Sequence, residues 1–242
     1  MEIAAHLDHL ADNAAQLGEA AARAAWSDPV PGCPDWTVRD LISHVGVVHR
    51  WAAAIVSGGI DKPTDQAEAA EATKPGDDGL LDWYAAGHRA LVETLRSAPA
   101  EVACFAFLPA PSPLAFWARR QALETAIHRA DAQAAAGIPV TIAGDLAQDG
   151  IDELLVGFGS RKREFEPGTL RLEPVGAEAW TIALTTEGAK ANRSADSAPS
   201  DATVSGDAGQ VYLWLWNRPA DVTITGDLAV AGRWGQVRVR WS

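Results

Sequence analysis

Cysteine is scarce in this sequence, and so is positive charge. The chain of 242 residues holds two cysteines, Cys33 and Cys104. Their separation excludes both a disulfide framework and a Cys-x-x-Cys metal knuckle. Twenty Lys and Arg stand against 32 Asp and Glu, for a formal charge of −12 and a pI near 4.8. A nucleic-acid partner requires a basic face, which this balance does not supply. Long apolar runs are missing too. Those present, such as Val211–Trp216, fall far short of the ~18 residues of a membrane helix, so no membrane association is expected. Met1-Glu2-Ile3-Ala4-Ala5-His6 has neither the basic nor the apolar region of a secretory signal, which makes the cytoplasm the expected compartment. The remaining composition, 48% hydrophobic and 21% charged, is that of a globular protein of one large or two modest domains. Ten tryptophans are scattered along the chain and read mostly as core packing.

Composition changes near residue 145. Before it the chain is alanine-rich with helical periodicity. After it come short β-rich runs at Thr169–Glu173, Trp180–Thr185, Ala202–Ser205, Val222–Thr225 and Val237–Trp241. A helical domain over 1–145 followed by a small α/β domain over 146–242 is the simplest reading. Four long helices are expected in the first part. The first runs from about Glu2 to Ala25, with Ile3, Leu7, Leu10 and Leu17 on one stripe. The second starts at Thr37, where Thr37 and Asp40 form a capping-box variant between Trp36 and Leu41 at the staple positions, and ends at Gly58-Gly59. Ile60 to Gly79 reads as a polar loop. The third helix covers Leu80 to Ser97. The fourth opens on Ser112-Pro113, an N-cap followed by proline at the first helical position, and ends at Gly137. Such a set suggests a four-helix bundle.

Glu124 and His128 are four residues apart on the fourth helix, so their side chains share a face. Carboxylate and imidazole groups on facing helices are the material of bundle metal sites, although such a pair is also a common surface hydrogen bond. His44 is spaced from Leu41 and Val48 so as to fall on the apolar stripe of the second helix. It is either a core histidine bonded to a carbonyl or a third ligand. His49, about 140° further round, cannot readily serve the same site. His6, His9 and His88 read as ordinary helix residues, and Cys33, between Pro34 and Trp36, as part of a packed helix entry. Asp131, three residues after His128, is either a solvated side chain or the acceptor that orients a ligand imidazole.

Pro31-Gly32-Cys33-Pro34-Asp35-Trp36-Thr37-Val38-Arg39-Asp40-Leu41-Ile42-Ser43-His44-Val45, continuing to His49-Arg50-Trp51, resembles the N-terminal signature of the mycothiol-dependent maleylpyruvate isomerase family. Glu124-Thr125-Ala126-Ile127-His128-Arg129-Ala130-Asp131 is similar to its second signature, Glu-x-x-x-His-x-x-Asp. The resemblance spans essentially the whole chain. It implies a DinB-like four-helix bundle followed by a sterol-carrier-like α/β domain. It also implies a divalent metal, usually zinc, on His44, Glu124 and His128. It further points to Arg218, in Trp214-Leu215-Trp216-Asn217-Arg218-Pro219, as a catalytic and cofactor-binding residue. There a helix starting after Asp207 ends with Asn217 in place of the family's glycine; Asn is the next most tolerant residue at a left-handed cap. The run Val211–Trp216 also alternates as a strand would.

Three protein ligands leave a metal position open for water or a thiol, as in catalytic sites. Two histidines and a carboxylate also suit non-haem iron, so the donor set alone does not fix the metal. The expectation is therefore a metal-dependent enzyme, monomeric or homodimeric, that activates mycothiol for attack on a small electrophile. It is an S-transferase if the product keeps the sulfur, and a cis–trans isomerase of a maleylpyruvate-like acid if the thiol leaves again. A non-catalytic metal- or ligand-binding protein and a metal-responsive regulator are the rival classes.

Overall fold

A computed structural model describes residues 1–158, 163–194 and 199–237. The chain divides into two compact units, Met1–Val140 and Thr141–Ser242. The first is built from four long helices, α1 (Ile3–Ala21), α2 (Val38–Gly58), α4 (Asp77–Ser97) and α5 (Pro113–Ala135), with a short α3 (Gln66–Glu71) between the second and third of them. α1 packs mainly along α5, and α2 mainly along α4.

The expected helix starts are present. The Thr37 side chain accepts from the Asp40 amide while Asp40 accepts from the Thr37 amide, a complete capping box. Ser112 caps Ala115 with Pro113 in the first turn. Three boundaries differ from the sequence expectation. α1 stops at Ala21 rather than Ala25, because the Asp28 carboxylate captures the Ala25 amide at 2.8 Å and turns the chain. α4 begins at Asp77, three residues earlier than expected. Its first turn carries Asp77 and Asp78, whose charges suit the exposed amides of a helix start. The expected loop Ile60–Gly79 contains α3. This helix buries only Ala70, so it has no apolar stripe to read.

Between α1 and α2 the chain makes a tied excursion. Pro29 and Thr37 form an isolated antiparallel bridge. Above that neck the Val30 amide donates to Trp36 O at 3.0 Å and the Trp36 amide to Cys33 O at 2.8 Å. Cys33 and Trp36 are thus presented by a closed loop. Trp36 packs against the cluster that contains Leu17, Val38, Leu41, Ile42 and Tyr84.

α5 differs from its neighbours. Its burial is continuous from Arg120 to Gln133, and it includes Arg120, Gln121, Glu124, Thr125, His128, Arg129, Asp131 and Gln133. A buried polar side chain is costly without a partner, so such a helix must supply partners from its own turns or from its neighbours.

The second unit opens with α6 (Gly144–Asp152), which runs into a π-helical turn at Glu153–Phe158. A five-stranded mixed sheet follows, in the order β3-β2-β1-β4-β5. The strands are β1 (Gly168–Val175), β2 (Trp180–Thr185), β3 (Gly188–Arg193), β4 (Ala202–Asp207) and β5 (Thr223–Gly226). β1 and β4 pair in parallel; the other neighbours are antiparallel. Leu172 faces Trp180 across one ladder and Val204 across the other, and all three are buried. α7 (Ala208–Leu215) and α8 (Leu228–Arg233) complete the unit. Val211–Trp216, which also read as a strand, is α7 and its C-cap. β3 was not expected, since Gly188-Ala189-Lys190-Ala191-Asn192-Arg193 carries no apolar alternation. Of the expected strand Val237–Trp241, residues 238–241 lie outside the described residues. Gly150 allows α6 to meet α7: a Cβ there would lie 2.3 Å from the Tyr212 ring.

Candidate metal centre

α2 and α5 bring His44, Glu124 and His128 together. Glu124 Oε1 lies 3.2 Å from His128 Nε2 and 3.6 Å from His44 Nε2. One donor atom from each residue falls within 4.8 Å of the other two. A zinc tetrahedron with nitrogen and oxygen ligands at about 2.0–2.2 Å has edges of about 3.4 Å. The two oxygen–nitrogen separations bracket that value, so these two edges suit a zinc-sized ion. His44 departs from the sequence expectation in its burial. It sits at the margin of the buried face of α2, with 22% of its side chain exposed, whereas His49 is at 0%. A site that must admit a small molecule needs one accessible ligand, and His44 is the most open of the three.

Glu124 and His128 are each held from behind. Arg120, one turn before Glu124 and 1% exposed, donates through Nη2 to Glu124 Oε2 at 3.0 Å. That leaves Oε1 turned toward the histidines. Asp131 Oδ2 lies 3.0 Å from His128 Nδ1, which places Nε2 on the side of Glu124. A carboxylate on the far nitrogen of an imidazole fixes its orientation and raises its basicity. The Trp36 indole covers both rings, 4.7 Å from His44 and 5.8 Å from His128 between centroids, and stacks on the latter. Sequence reading did not single out Arg120 or assign Trp36 a place at the site. The i, i+4 spacing of Arg120 and Glu124 was the available signal.

Burial favours the neutral form of Glu124, but the His128 and His44 imidazoles and the Arg120 charge outweigh it and hold its carboxyl well below the usual range. Burial likewise opposes charge on His128, yet Asp131 and Glu124 override it and lift the imidazole to about 9. Without a metal, the pocket thus stores a proton on His128.

Family models match both parts of the sequence. One described as the mycothiol maleylpyruvate isomerase N-terminal domain covers residues 7–133, and one described as the MDMPI C-terminal domain covers residues 145–233. The chain belongs to the mycothiol maleylpyruvate isomerase family. Two crystal structures described as mycothiol-dependent maleylpyruvate isomerase share the fold of this family member. One, a histidine-to-alanine mutant, has a TM-score of 0.68 at 13% identity; the other has 0.66 at 14%. In each case 93% of this chain and 93% of the other are covered. No curated protein matches the sequence. No helix among the described residues is long and apolar enough to cross a membrane.

The second unit carries Arg218 on a fully formed Schellman turn. The Asn217 amide donates to Trp214 O at 2.9 Å and the Arg218 amide to Leu213 O at 3.0 Å. Asn217 takes the left-handed conformation, φ 57°, as its place in the motif requires. The Arg218 guanidinium donates through Nη1 to Trp216 O at 2.9 Å and is half-buried.

His49 lies in the core of the first unit. Its Nε2 is 2.9 Å from Thr125 Oγ1, and it does not join the trio. Burial, reinforced by His88, depresses its pKa to about 3. An imidazole protonated at 6.5 when unfolded but only near 3 when folded binds more protons in the unfolded state. Stability is thus full above about pH 6.5 and declines as pH falls toward 3. The decline attributable to His49 is on the order of 2 kcal/mol between pH 7 and pH 5. His49→Gln, which keeps a hydrogen-bonding group and does not titrate, is expected to flatten that slope. Urea denaturation at pH 7 and pH 5 measures it. His128 acts in another window: in the metal-free chain its contribution is present below pH 6.5 and lost as pH rises through 9.

Proposed function

We propose that this chain is a metal-dependent enzyme that uses mycothiol as its nucleophile, with His44, Glu124 and His128 holding one divalent ion, zinc in the first instance. The observation that carries this reading is the convergence of three donors at zinc-like spacings in a member of a mycothiol-named family. A divalent ion bound there would supply the charge that draws the proton from a bound thiol. The protein's part is positioning. Arg120 fixes which oxygen Glu124 presents, Asp131 fixes which nitrogen His128 presents, and Trp36 shields both imidazoles on one side. Residues 1–145 then form the metal-binding domain and 146–242 a sterol-carrier-like one.

Thiol transfer is the first assignment, because it needs a single addition to an electrophilic carbon. At 13–14% identity the substrate of the matched structures does not carry over. Isomerisation, in which the thiol adds and then leaves, is the second reading, favoured by the description of the family model. Mass spectrometry of the purified chain incubated with mycothiol and a panel of electrophilic acids separates them. An S-conjugate with consumption of thiol establishes transfer; a geometric isomer with thiol conserved establishes isomerisation. Turnover that ignores mycothiol refutes both.

Arg218 is proposed to bind a carboxylate of the substrate or of the thiol cofactor as a bidentate partner. Arg218→Leu is expected to leave metal content and the melting transition in place and to raise KM for an anionic thiol or substrate about tenfold or more. Lost charge-assisted bonds are worth roughly 1.5–3 kcal/mol each. Lys should restore only part, since a point charge lacks the guanidinium fork. Unchanged thiol-dependent kinetics in the Leu variant would leave Arg218 as a helix-end cation.

A further inference from the structure

His128 offers ligands on both sides of its ring. Its Nδ1 lies 3.0 Å from Asp131 Oδ2, and the same oxygen lies 3.6 Å from Cys33 Sγ. One thiol sulfur, one carboxylate oxygen and one imidazole nitrogen thus fall within 4.8 Å of one another. These are the donor types zinc takes in tetrahedral sites, with zinc–sulfur near 2.3 Å and zinc–oxygen near 2.1 Å, which makes a sulfur–oxygen edge of about 3.6 Å. The observed separation already matches. The nitrogen–oxygen edge needs about 3.4 Å, an opening of a few tenths of an ångström. The parts are held independently: Asp131 and His128 by one turn of α5, and Cys33 by the loop tied at Pro29 and Thr37. Cys33 is half-buried and is the most open of the three donors.

We propose that Cys33, Asp131 and His128 form a second site for a thiophilic divalent cation, back to back with the His44–Glu124–His128 set and filled only in excess metal. The assignment goes beyond the functional reading and rests on it solely for the order of filling. The second site is the weaker for two reasons. Filling it displaces two protons, one from the Cys33 thiol and one from His128 Nδ1, both released to solvent as the sulfur–metal and nitrogen–metal bonds form. It also takes from His128 the acceptor that aims the ring at the first ion. Excess cation is therefore an antagonist of the catalytic arrangement, drawing Asp131 and His128 away from the roles they hold at low metal.

Cobalt(II) titration of the full chain, kept reduced and read by absorbance, tests this. The first equivalent is expected to give only the weak visible bands of a nitrogen–oxygen site. The second is expected to bring the intense thiolate-to-cobalt charge-transfer band. Cys33→Ser should retain the first step, which also reports that it is folded, and lose the charge-transfer band entirely. Asp131→Asn should weaken the second step at least tenfold. In His44→Ala the charge-transfer band should arrive with the first equivalent, because the competing set has lost a donor. No charge-transfer band at any excess in the unaltered chain would overturn the proposal. So would a band that survives in Cys33→Ser, since it would then arise from Cys104. A band arriving with the first equivalent in the unaltered chain would uphold the Cys33 site and overturn instead the reading of His44, Glu124 and His128 as the tighter one.

Discussion

Replacing His44 and His128 together by alanine is expected to take bound divalent metal from about one ion per chain to a trace, and mycothiol-dependent turnover with it. A catalytic zinc site requires three protein ligands, and Glu124 alone leaves too few donors. The variant should nonetheless fold. His44 is partly exposed, and Glu124 keeps its Arg120 partner. Elemental analysis after dialysis checks the metal, and the far-ultraviolet spectrum checks the fold. In the unaltered chain the proton stored on His128 competes with the ion. Apparent affinity should accordingly rise with pH from neutrality up to about 9, where that proton leaves. Full metal content in the double variant would refute the ligand assignment.

The second large effect belongs to Arg120. It is 1% exposed and its partner Glu124 is 5% exposed, so the pair is out of solvent. Removing one member of a buried pair leaves an uncompensated charge and costs about 3–5 kcal/mol. Arg120→Met, which roughly preserves the volume, is expected to lower the stability of the metal-free chain by about that amount. Excess zinc should raise the stability of the variant by less than it raises that of the unaltered chain, because the variant binds the ion more weakly. The carboxylate would be free to turn, and metal affinity should fall about 10–100-fold. Urea denaturation with and without zinc, together with competition against a chromophoric chelator, gives both numbers. A loss below about 1 kcal/mol in zinc-free buffer would mean that the Glu124 charge is carried by the histidines alone.

Much of this was legible in the sequence where local chemistry repeats a known geometry. The Thr37–Asp40 box, the Ser112-Pro113 start and the Asn217 cap each depend on neighbours within a few residues. The Glu124–His128 spacing and the Asp131 acceptor are likewise properties of one helix face. What could not be read depends on packing. α5 is buried on nearly all sides, so its polar residues mask the apolar stripe that marks an ordinary helix. The relative burial of His44 and His49 depends on how α2 is rotated against α4 and α5, which spacing along α2 alone does not specify. Cys33 read as helix-entry packing because its neighbour Asp131 is 98 positions away. The short α3 and the polar β3 lack the periodic burial that sequence patterns report.

The pairing of α1 with α5 has a consequence for synthesis. A chain made from its N-terminus completes α2, and with it His44, long before the second signature appears. The principal neighbour of α1 is the last helix of its unit, so most of the α1 packing has to wait for α5, although α4 covers part of it earlier. Contacts this distant in sequence form late, after the cost of closing the intervening loop has been met. A lone imidazole on a nascent helix holds a metal ion poorly. On the proposed ligand set, an ion can be captured only once α5 has docked, which would leave metal selection to the finished protein rather than to the growing chain.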